Sequence, residues 1–134
     1  MLEKSMRLEI QNKPAKENPS ERQLRKAILS LRSYGPSSFA SLTDENGNYL
    51  QIGGGGITCL IERRDAVTGM HYRAYQKQKN INYPDGTLLV FGAGSIELLS
   101  DEWFSGAVSA EIFVAFLLRQ ALPSDVYWRV ATGI

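Results

Sequence analysis

The sequence predicts a single α+β domain, a mostly antiparallel sheet of about five or six strands packed with two main helices. Short alternating segments are separated by turn sequences such as Asn46-Gly47 and Pro84-Asp85-Gly86, the mark of hairpins. Two segments break that rhythm: one after Ser20 repeats its apolar residues at helical spacing, and one from about Ser109 to Pro123 is apolar almost throughout. The order helix, hairpin strands, helix, strand suits α+β and not a parallel sheet of alternating units.

A chain of 134 residues fits one domain and can bury a core without disulfide or metal staples. Residues 1–18 read as an N-terminal strand or arm at Met6–Ile10 with a loop, and residues 19–134 as the domain. Ser20 caps the first helix, and Gln23 completes a capping box. Leu24, Ala27, Ile28 and Leu31 form its apolar stripe, and Gly35-Pro36 is its stop signal. Arg22, Arg25, Lys26 and Arg32 fill its other positions, the pattern of a solvated face.

Residues 39–42 and 49–52 read as strands around the Asn46-Gly47 turn. Gly53–Gly56 lacks the lysine of a phosphate loop and the following helix of a dinucleotide fingerprint, so it reads as a loop or bulge that lets a backbone or ligand come close. Residues 57–63 and 70–76 form a second hairpin. Pairing Ile61 with Tyr72 and Cys59 with Ala74 gathers the apolar residues on one face, with Glu62, His71 and Arg73 on the other. The apolar run 87–91 predicts a central strand, Gly92–Gly94 a bulge or a tight connection, and 95–99 a short strand. In the second helix Glu111 falls in the first turn, and Val126, Trp128 and Val130 alternate through a final half-buried strand.

Composition narrows the function. The net charge is +1, from 15 basic and 14 acidic residues, so no strongly basic field points to direct nucleic-acid binding. The single Cys59 excludes an internal disulfide and a cysteine-based zinc site. No apolar stretch reaches signal-peptide or membrane-span length, so the expected location is cytoplasmic, without membrane contact. A Cys59–His71 dyad is disfavoured because the preferred register sets the two on opposite faces. With one His and one Cys, neither a catalytic residue, a metal site nor a cofactor is assigned. The acids Glu97, Asp101 and Glu102 read as solvated; Trp103, beside them, reads either as an interface anchor or as packed under its loop.

Several segments together resemble a known family. Gly47–Leu50 leads into the glycine run; Leu88–Gly92 precedes Glu97; Ala115-Phe116 lies on a helix that passes through Leu122-Pro123 to Val126-Tyr127-Trp128. This pattern, over about residues 40–130, is similar to the Imm1-type immunity proteins of bacterial polymorphic toxin and contact-dependent inhibition systems. The family often has an acid before the Phe and a Gly soon after, whereas here Ala115 precedes and Arg119-Gln120-Ala121 follows. The resemblance implies a non-enzymatic protein that binds and neutralises a cognate toxin C-terminal domain, often a nuclease. Candidate contacts are Glu97, Asp101, Glu102, Trp103 and Phe104, with Glu62, His71 and Arg73. Two other readings stay open: a small-ligand or regulatory domain using the glycine-rich loop, and an enzyme with acids dispersed around Glu62, His71 and Glu97.

Overall fold

A computed structural model describes residues 3–131; residues 1–2 and 132–134, the outer ends of the expected segments 1–18 and 19–134, lie outside it. The chain runs β1 (Met6–Ile10), β2 (Lys16–Glu17), α1 (Glu21–Ser30), β3 (Phe39–Asp44), β4 (Tyr49–Gly55), β5 (Thr58–Arg64), β6 (His71–Tyr75), β7 (Thr87–Phe91), β8 (Gly94–Leu98), α2 (Gly106–Leu117) and β9 (Tyr127–Ala131). Seven strands form one antiparallel sheet in the order β2-β1-β3-β4-β5-β6-β9, and β7 pairs only with β8. The fold is α+β in a single domain, with more strands than the turn signals suggest.

Both helices lie on one face of the sheet. The main core joins Leu24 and Ile28 of α1 and Ile112 and Phe113 of α2 to Leu8, Leu42, Leu50, Ile52, Cys59 and Ile61. Ser20 caps α1 with the expected capping box. The helix ends at Ser30, five residues before Gly35, where the Ser30 hydroxyl turns back to the Lys26 carbonyl. α2 starts earlier than expected, because Ser105 and not Ser109 caps it through the Val108 N–H. Glu111 therefore lies mid-helix, where it pairs with Arg25 of α1.

The opposite, outer face is crossed by the β7–β8 hairpin. A second cluster, Leu60, Leu89, Phe91, Leu98 and Trp103, fills the space beneath it. The apolar run 87–91 is thus not a central strand. Leu89 and Phe91 point to the sheet, while Leu88 and Val90 are 53% and 44% exposed. A continuous apolar run cannot by itself distinguish these cases, because a lone hairpin buries alternate residues only.

The glycine run is also not a loop. Gly53–Gly55 are buried within β4 and pair with Leu60, Cys59 and Thr58. A Cβ at Gly53 would lie 2.8 Å from the Phe91 ring, and one at Gly55 would land on the Leu31 carbonyl. The glycines let the hairpin approach β4 from one side and the end of α1 from the other. Only Gly56 serves a turn, with φ +70° and open space around it.

The β5–β6 register differs from the expected one by two residues. Arg63, not Ile61, lies opposite Tyr72, and Arg64 lies opposite His71. The Asp65 carboxylate accepts from the Val67 N–H at 2.9 Å, Gly69 takes φ +72°, and the Asp65 N–H reaches the Met70 carbonyl at 3.0 Å. This turn absorbs residues assigned to the strands. Because side chains alternate with period two, a two-residue shift leaves the residues within β5 and β6 on their expected faces, while Ile57 and Met70, expected to point inward, fall outside the strands and are exposed. Cys59 lies beyond the end of β6 and instead exchanges backbone hydrogen bonds with Phe104, both at 2.8 Å.

Candidate functional site

The site grows out of one row of residues on the outer face. Register places Ser41, Gln51, Glu62, Arg73 and Arg129 side by side across β3, β4, β5, β6 and β9. Glu62 is buried to 1% side-chain exposure and binds Arg73 at 2.9 Å. Arg73 also reaches Glu102 at 3.5 Å, and Arg129 bridges Glu102 at 3.4 Å and Asp101 at 2.8 Å. Glu102 is itself buried, and the Oε1 that Arg73 reaches also accepts the Leu99 N–H at 2.7 Å. Tyr75 lies under the Arg129 guanidinium, 4.0 Å from it. Each arginine is therefore held by fixed partners, and the network ties the 99–102 turn down onto the sheet.

The neighbouring row carries Tyr49, Arg64 and His71, in register on β4, β5 and β6. The Tyr49 hydroxyl and His71 Nε2 share a hydrogen bond of 2.8 Å across Arg64. All three are half-buried. Among the described residues no carboxylate pairs with Arg64, so its charge is offered outward.

The hairpin divides this face, with a hollow on each flank. A cleft of about 370 Å³ lies between Phe91 and Ala93 of the hairpin tip and Glu9, Ser41 and Gln51 of the sheet. A hollow of about 290 Å³ opens on the other flank, between Arg73, Arg129 and Glu97. Gly92 fastens the tip by donating to the Ser38 hydroxyl at 2.7 Å, and that hydroxyl donates to Gln11 at 2.8 Å.

Four of the eight expected contact residues are not presented by the folded chain. Trp103 is buried, its ring stacked 4.3 Å from that of Tyr83. Phe104 is buried in the main core. Glu62 and Glu102 are consumed by the arginine network. The acids and aromatics of 97–104 look like a surface segment in sequence, but they are the fastening of the hairpin. Glu97 is exposed, and Asp101, His71 and Arg73 are partly accessible. Sequence reasoning missed Tyr49, Arg64, Gln51 and Arg129. The signal for them was the alternation of β4, β5 and β9, which needed the correct strand order to become one surface.

Cys59 points into the core on the face opposite His71. Burial pushes its thiol up to about 11, against a smaller opposing effect of a hydrogen bond with Ser109. It is therefore a protonated packing residue with no base beside it. No group of three or more His, Cys, Asp or Glu among the described residues is arranged to hold a metal ion. No helix among them is long and apolar enough to cross a membrane.

No protein-family model, curated protein or solved structure matches the chain.

Proposed function

We propose that this chain is an immunity protein that binds a cognate bacterial toxin domain through the outer face of its sheet, without catalysing a reaction. The observation that carries this reading is the Tyr49–Arg64–His71 row beside the anchored Arg73 and Arg129. Aromatic and arginine side chains fixed on strands are favoured anchors for protein contacts, because little side-chain freedom is lost when they bind. Arg64, without a carboxylate partner among the described residues, adds a charge that orients an acidic patch of the partner. The resemblance to immunity proteins supplies the class of partner, and the cytoplasmic location belongs to the same proposal.

The test is co-production with toxin domains encoded beside the gene. Rescue of growth, with a one-to-one complex on gel filtration, is the expected result. Arg64→Glu is expected to weaken that complex at least about tenfold by like-charge repulsion at the contact. Unrelieved toxicity and separate elution of both proteins would refute the reading.

A second reading has its own observation. The 370 Å³ cleft, walled by Phe39 and Phe91 with Ser41 and Gln51 on its floor, is of a size that takes a small ligand. The glycines serve this reading only indirectly, since they are filled by Phe91 and Leu31 of the chain itself.

A further inference from the structure

The basic residues of α1 do not share one fate. Arg25 pairs with Glu21 and with Glu111 of α2. Arg32 donates to the carbonyls of Leu29 and Leu31 at 2.8 and 2.6 Å. Lys26 has no such partner among the described residues. It borders a groove of about 440 Å³ between α1 and the chain linking β1 to β2, together with Lys13 and Lys16. The floor is apolar, with Leu8, Ile10 and Ala27, and the lining contains no Asp or Glu.

None of these three lysines forms an ion pair among the described residues, and the acids of that sheet edge are drawn to an arginine. Glu17 and Glu9 both engage Arg7, which lies on the outer face, beside β1 residues that alternate with the buried Met6 and Leu8. Lys16 stands opposite Leu8 in the β1–β2 ladder and so faces the helix side. The groove thus combines Lys13, Lys16 and Lys26 with an apolar floor on the helix side of the sheet, and Lys13 sits at the sheet edge, where it also lines the outer cleft beside Glu9.

We propose that this groove docks an acidic, apolar-anchored segment of a partner protein, with carboxylates on the lysine rim and aliphatic side chains on the floor. Charge complementarity selects the acidic partner. The apolar residues lie recessed between the helix and the 11–16 loop, so a narrow peptide reaches them and a flat bilayer does not. The inference is independent of the toxin reading.

The test uses the whole chain, isotopically labelled, and a short blocked peptide of leucine and glutamate. Expected are saturable NMR shift changes centred on Lys13, Lys16, Lys26 and Ala27, weakening as salt rises. The double variant Lys16→Glu/Lys26→Glu is expected to bind at least about tenfold more weakly. Its substitutions are at exposed positions, and an unchanged amide spectrum elsewhere verifies its fold. Equal binding of a leucine–lysine peptide, shifts centred on other residues, no shifts at all, or a response to phosphatidylglycerol vesicles without one to the peptide would each overturn the proposal.

Discussion

At Gly55 a single hydrogen replaces what would be a collision with the backbone of Leu31. Gly55→Ala must push the end of α1 off the sheet, and overpacking of this kind costs about 3 kcal/mol or more. Gly56→Ala meets open space but keeps φ at +70°, so only the left-handed backbone is penalised, at about 1 kcal/mol. Denaturant unfolding of the two variants checks this order. Cys59 gives a second residue-scale prediction. Its thiol is held at about 11 in the folded chain, above its ordinary value of 9.0. The folded state therefore keeps a proton that the unfolded chain releases. The stabilisation is complete below pH 9 and is lost as pH rises from about 9 to about 11, at roughly 1.4 kcal/mol per unit traversed. Comparison of the pH dependence of unfolding with that of Cys59→Ala isolates the effect, and the native thiol is expected to react with a disulfide reagent only as fast as the chain opens.

At the scale of elements, two devices place the strands and helices. The Ser20 capping box fixes where α1 begins, and Ser20→Ala is expected to cost about 1 kcal/mol in thermal or chemical unfolding. The Glu62–Arg73–Glu102–Arg129–Asp101 network joins β5, β6 and β9 to the 99–102 turn. Removing one member leaves a buried charge without its partner. Glu62→Ala is accordingly expected to destabilise by about 3–5 kcal/mol, whereas Glu62→Leu combined with Arg73→Met is expected to cost less than the sum of the single changes. A double-mutant cycle measures the difference, and strict additivity would show that the network does not couple these elements.

Across the whole molecule, one sheet carries two unequal cores. The helix-side core gathers residues from both helices and most strands, while the outer cluster has five buried members under a hairpin whose strands pair only with each other. Hydrogen exchange is expected to be slowest in β4 and β5, with β7 and β8 opening together at a free energy at least about 2 kcal/mol lower. Uniform protection across all these strands would contradict the division. An early opening of the hairpin would alter both hollows of the outer face, because its residues line each of them.

The sequence by itself determined the α+β class, the capping of α1, the position of the Asn46-Gly47 turn, and the opposite facing of Cys59 and His71. These depend on local chemistry or on period-two alternation, which survives even the two-residue register shift between β5 and β6. Only the tertiary structure decided that Gly53–Gly55 are a packed strand, that residues 87–91 lie in a covering hairpin, and that Trp103 and Glu102 fasten it. It also decided the candidate surface, because Tyr49, Arg64 and His71 are 22 residues apart at their extremes and meet only across three paired strands. A residue's neighbours along the chain set its conformation and its face; what lies over that face is set by elements distant in sequence, and no local pattern encodes them.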